Sequence, residues 1–158
     1  MSRPKFAPME NVNQFRQILL LTLAKFADPH TIKYASEEVR EIMSEHVTNM
    51  ERMNVFLYHL SDFNPSMKLL QRKEHMKLMG AIGEIFEEKC LPLMPKIVNF
   101  YAKRIKDSDP SLHQTLSEGL GSIIHYSFGK LGEEEMQDQL APILRLLYHN
   151  IATANKVQ

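Results

Sequence analysis

Tryptophan is absent from this 158-residue chain, cysteine occurs once, and the charges cancel, with 19 Lys and Arg against 19 Asp and Glu. Each scarcity excludes something. One thiol, Cys90, cannot form a disulfide within the chain, which points to a reducing compartment. Zero net charge removes the bulk field that would draw nucleic acid or an anionic membrane, so neither is expected as a partner. The apolar run from Ile18 to Leu21 is far too short to span a bilayer. Residues 1–8 are polar and lack the apolar segment of a secretory signal. The expected setting is cytoplasmic.

Catalytic patterns are missing as well. There is no Gly-rich phosphate loop, no Gly-x-Ser-x-Gly elbow and no His-Glu-x-x-His pair. The seven histidines are scattered, and Glu41, Glu45 and His46 read as part of a surface charge run rather than a metal site. Cys90 reads as a buried structural thiol, because no activating arrangement surrounds it. No enzyme activity, cofactor or metal is expected.

What is present is helical periodicity broken at regular places. Asp28-Pro29, Asn64-Pro65 and Asp109-Pro110 each follow one apolar-periodic stretch and open another, at spacings of 36 and 45 residues. Proline lacks an N–H and forces its predecessor out of the helical region, so each pair ends a helix. Spacings of this size belong to repeats built of helix pairs. The first helix carries Val12, Phe15, Ile18, Leu19, Leu23 and Phe26 on one stripe, and the second Ile32, Ala35, Val39, Ile42 and Met43. Thr48 or Asn49 offers an N-cap to the third, with Met50, Met53, Phe56, Leu57 and Leu60 as its stripe. The fourth shows Leu69, Met76, Met79, Ile82, Ile85 and Phe86, with Gly80 and Gly83 inside it. Those glycines are expected to admit a close neighbouring helix, since each costs roughly 1 kcal/mol against alanine. A fifth helix starts near Pro95. The sixth is capped by Asp109, with Pro110 at its first position, and it too encloses glycines, Gly119 and Gly121. Glu133 to Glu135 read as a helix start, and Leu140 to Ile143 echo Leu93 to Ile97 at a spacing of 47. The expected fold is all-α, a solenoid of about three and a half helix pairs. Its expected organisation is a leader over 1–9, one helical-repeat domain over 10–153 and a tail over 154–158.

The third pair reads MPKIVNFYAKRIKDSDP from Met94, then LHQTLSEGLG from Leu112. It resembles the HEAT repeat, with proline in the first helix, Asp-x-Asp at the turn, and then an aliphatic, a basic residue and Leu-Gly. KRIKDSD from Lys103 and RKEHMKLMG from Arg72 are similar to segments of the TOG-like N-terminal array of the TORTIFOLIA/SPIRAL2-type plant microtubule-associated proteins. The resemblance covers roughly residues 12 to 130. His113 stands where the family pattern has arginine, and the tubulin-gripping tryptophan of polymerase-type TOG domains has no counterpart. The resemblance implies an armadillo-like array associated with the cytoskeleton, with tubulin or microtubules as partner.

Two surfaces follow. The turns within pairs fall on one edge, where Lys25, Lys33, Lys68, Lys103, Arg104 and Lys106 outnumber nearby acids and second-helix N-termini add partial positive charge. The opposite edge is acidic. The expected partner-contacting residues are Lys25, Lys68, Lys103, Arg104, Lys106 and His113. The unfinished last repeat supplies the alternative, an adaptor or structural subunit of a larger assembly, a ciliary one included. It would dock other protein subunits through Leu146, Tyr148 and Ile151, the first two lying away from the apolar face of Ile143, Leu144, Leu147 and Ile151.

Overall fold

The computed structural model describes residues 6–62, 66–104 and 110–157, without the side chains of Pro110, Leu146, Leu147, Asn150 and residues 151–157. Among the described residues every regular element is helical, and no helix is long and apolar enough to cross a membrane. The chain forms two compact units, Met1–Leu78 and Met79–Gln158.

The first unit holds α1 (Val12–Ala24), α2 (Ile32–Glu41), α3 (Met50–Ser61) and the opening of α4 (Leu69–Phe86). Local chemistry sets the boundaries. Asn11 has extended backbone, and its side chain accepts the Gln14 N–H at 2.9 Å, capping α1. After a 3-10 turn over Lys25–Ala27, Asp28 Oδ1 accepts the His30 N–H at 2.9 Å, and the Thr31 hydroxyl donates to the Lys25 carbonyl at 2.7 Å. This Asx turn reverses the chain at Asp28-Pro29. Of the two candidate caps before α3, Asn49 serves, accepting the Arg52 N–H at 2.8 Å. The Asn64-Pro65 turn lies outside the described residues.

The expected stripes are buried: Phe15, Leu19 and Phe26 on and just past α1, Ala35 and Val39 on α2, and Phe56 and Leu60 on α3. Each large side chain so buried contributes about 1.5–3 kcal/mol. Met50 departs from its stripe and is exposed. It is the first residue of α3, beyond the part of the helix that neighbours cover. The segment ahead of α1 is held to the unit by Arg52. Its Nη2 donates to the Met9 carbonyl at 2.6 Å, its Nη1 donates to the His46 carbonyl at 3.0 Å, and its guanidinium lies 5.5 Å from the Phe15 ring centre.

The second unit continues α4 through a 3-10 run (Glu87–Leu93) into α5 (Met94–Arg104), α6 (Pro110–Phe128) and α7 (Glu133–Val157). Pro110 opens α6 and Glu133 opens α7, as the sequence suggests. The capping role of Asp109 lies outside the described residues. Met79, Ile82, Ile97, Val98, Tyr101, Leu112, Ile123 and Phe128 form the core. Within it α4 and α6 nearly touch. A β-carbon on Gly80 would stand 2.8 Å from the Gly119 Cα, and one on Gly83 would stand 2.7 Å from the Ile123 Cα. Gly121 has open space instead. The echo between Leu93–Ile97 and Leu140–Ile143 is imperfect: Pro95 is the second residue of α5, whereas Pro142 lies well inside α7. Three glutamates at the α7 N-terminus favour an early start against the helix dipole. The matching stretch before α5 is instead the 3-10 run, which contains Pro92 and begins at Glu87 with φ of 50°.

Candidate partner-binding surface

Each unit presents its own cations beside its turns. In the first, Lys25 follows α1 directly and lies next to the Asx turn. It does not stand free: its ammonium pairs with Glu38 of α2 at 3.0 Å, with side chains 48% and 23% exposed. Such a half-exposed pair contributes little to stability, but it cancels the charge that Lys25 would offer a partner. Lys33 and Lys68 are exposed. Lys68 precedes α4, its carbonyl accepting the Arg72 N–H at 3.1 Å and its own N–H reaching the Gln71 side chain at 3.2 Å.

In the second unit, Lys103 and Arg104 form the last turn of α5. They differ. Lys103 is exposed, while Arg104 is half-buried with its guanidinium 5.9 Å from the Phe100 ring centre. The planar cation covers the ring, and its stem is part of the packing. His113 is exposed in the first turn of α6. Lys106 lies outside the described residues. Lys103 at the C-terminus of α5 and His113 near the N-terminus of α6 thus stand at the two ends that residues 105–109 join, on helices that pack together.

The last helix is more apolar on its surface than expected. Ile143 is buried, but Leu144 is 51% exposed and Tyr148, one turn on, is 76% exposed. Leu144 therefore belongs with Tyr148 on the open face and not with Ile143 on the packed one. Leu146 and Ile151 lie among the side chains outside the description.

Titratable groups elsewhere are structural. Cys90 is buried, its thiol reaching the Ile82 carbonyl at 3.6 Å, and burial pushes its pKa up to about 11, which leaves little nucleophilic thiolate. Tyr101 is held protonated by burial. His75 is buried against the edge of the Phe26 ring, and its Nδ1 lies 2.8 Å from the Leu60 carbonyl. Among the described residues, Glu41, Glu45 and His46 bring carboxylate and imidazole atoms within 4.8 Å of one another. The cause is a π-helical turn over Ile42–His46, closed by a bond from the Val47 N–H to the Ile42 carbonyl. Its wider coil brings positions four and five apart onto one face. Glu41 also accepts the Phe6 N–H at 2.8 Å, and the Phe6 ring meets the His46 ring edge-on, so these two residues hold the leading segment.

Sequence reasoning missed the Lys25–Glu38 pair, which joins residues 13 apart across a turn. It also passed over Leu20, Leu21 and Tyr58, which lie off the core stripes and are exposed. Their displacement from the stripes was the available signal.

Comparison with known proteins gives the chain its relatives. Residues 13–157 match the family described as TORTIFOLIA1 N-terminal. TORTIFOLIA1-like protein 1 of Arabidopsis thaliana is 22% identical over 110 residues, which is 70% of this chain and 13% of that protein. TORTIFOLIA1-like protein 2 of the same plant is 28% identical over 96 residues, 61% of this chain and 12% of that protein. The chain thus spans only a small fraction of the length of the curated relatives it matches.

Proposed function

We propose, from the premise that this chain belongs to the TORTIFOLIA1 N-terminal family, that it is a non-catalytic helical module of the cytoskeleton that binds microtubules or tubulin through its intra-pair turns. The family match across nearly the whole chain carries the reading. The exposed cations beside the turns support it, because an acidic protein surface is steered toward such charges. Lys68 and Lys103 are the foremost contacts in this reading. Lys106 and His113 join them, Lys25 is muted by Glu38, and Arg104 acts mainly as a support for Phe100.

The test is cosedimentation with microtubules at low salt, with free tubulin as a separate binding control. A chain carrying Lys68→Glu, Lys103→Glu and Lys106→Glu is expected to pellet far less than the parent. Arg104 is left intact so that α5 keeps its packing. If the triple variant pellets as well as the parent, the turn-edge assignment is wrong.

Leu144 and Tyr148 favour a second reading, an adaptor that docks another protein subunit on α7. Cosedimentation that survives the charge reversals but is lost in Leu144→Ser/Tyr148→Ser would favour it.

A further inference from the structure

Between α1 and α3 runs an open groove of about 290 Å³, lined by Arg16, Asn54, Val55, Tyr58 and His59. Its chemistry is lopsided. Arg16 is half-buried, and its guanidinium makes one described hydrogen bond, from Nη1 to the neutral Asn13 Oδ1 at 3.1 Å. No carboxylate lines the groove, and none pairs with Arg16 among the described residues. A guanidinium carries five N–H donors in a planar fork that fits a carboxylate with two parallel bonds. Beside this unanswered cation the surface is apolar. Val55 lines the groove, Tyr58 is 67% exposed above it, and Leu20, one helical turn from Arg16 on α1, is 43% exposed. The His59 ring lies edge-on to Tyr58 at 5.1 Å.

Size narrows the occupant. The groove lies at or below the lower limit for a drug-sized ligand and suits one or two side chains. A single arginine without neighbouring lysines provides no track for a phosphate backbone. We propose that the α1–α3 groove receives an acidic peptide segment of another protein, with a carboxylate on Arg16 and a flanking apolar side chain over Val55 and Tyr58. This surface is separate in its residues from the turn cations, and it stands or falls without them.

The probe is a short fluorescein-labelled peptide of glutamates and leucines, titrated with the full chain by anisotropy beside a matched peptide with lysine in place of glutamate. The glutamate peptide is expected to bind and the lysine peptide not to. Arg16→Gln should weaken binding by at least about tenfold, the scale of a lost charge-assisted pair. Tyr58→Ala should weaken it too, and Lys68→Glu should leave it unchanged. In the unmodified chain the His59 ring signals should shift on binding, a readout that needs no variant. Failure of the glutamate peptide to bind, unaltered binding by Arg16→Gln, or displacement of the peptide by a single-stranded oligonucleotide would each overturn the proposal.

Discussion

Gly83 of α4 lies so close to Ile123 of α6 that a β-carbon on the glycine would stand 2.7 Å from the Ile123 Cα. The obstacle is backbone, which cannot swing aside as a side-chain tip can. Gly83→Ala should therefore destabilise the chain: overpacking costs typically about 1–3 kcal/mol, against a helix-propensity gain of about 1 kcal/mol at most. Gly121→Ala, in the same helix as Ile123 but with open space around it, should instead be neutral or stabilising by up to about 1 kcal/mol. Urea unfolding of the two variants beside the parent measures the contrast. Equal effects would mean that the crossing is looser than described.

His75 gives stability a pH dependence. Burial, the largest influence, lowers its pKa from 6.5, opposed by the Leu60 carbonyl and by Glu74 and Asp62. The folded chain thus holds fewer protons than the unfolded one just below that value. The stabilisation is complete above the unfolded pKa and is lost as pH falls below it toward the folded value. His59 is shifted in the same direction, by burial first and Arg16 second, with Asp62 opposing. Melting temperature should fall between about pH 7 and pH 5, and His75→Gln should flatten that slope. An unchanged slope in the variant would assign the dependence elsewhere.

Arg52 bonds two backbone carbonyls, of Met9 and His46, and covers Phe15. Arg52→Ala leaves both acceptors without this donor and should cost about 1–3 kcal/mol. Hydrogen exchange should rise selectively in residues 6–11. Uniform exchange across α1 to α3 would show a global loss instead.

Lys25 is predicted to matter less to partner binding than Lys68 or Lys103. Its charge is already answered by Glu38 at 3.0 Å. Lys25→Gln should leave cosedimentation nearly unchanged and alter stability by less than about 1 kcal/mol. Glu38→Gln, which releases the lysine, should increase pelleting if the turn edge is the contact surface.

The helix order was legible because its punctuation is local. Asp28-Pro29, Asn49, Pro110 and Glu133 act within a few residues of where they stand, and the structure starts or stops helices there. The close approach at Gly80 and Gly83 was legible from the unfavourable placement of glycine inside a helix. The exposure of Met50 and Leu144 was not, because periodicity gives a face and not how far a neighbour covers it. Nor were the π-turn at Ile42–His46 and the 3-10 run at Glu87–Leu93, where tertiary packing overrides the simple period. At the candidate surface, exposed lysines could be named from the sequence. The division of labour between Lys103 and Arg104 was within reach too, because Phe100 stands four residues before Arg104 on α5 and i,i+4 side chains meet on a helix.

Pro142 gives α7 a mechanical property. Lacking an N–H, it leaves the Asp138 carbonyl without the donor that every other interior turn supplies. The helix is therefore short of one backbone bond between its acidic first turns and the stretch bearing Leu144 and Tyr148. Any bending of α7 is favoured at that point over its other interior positions.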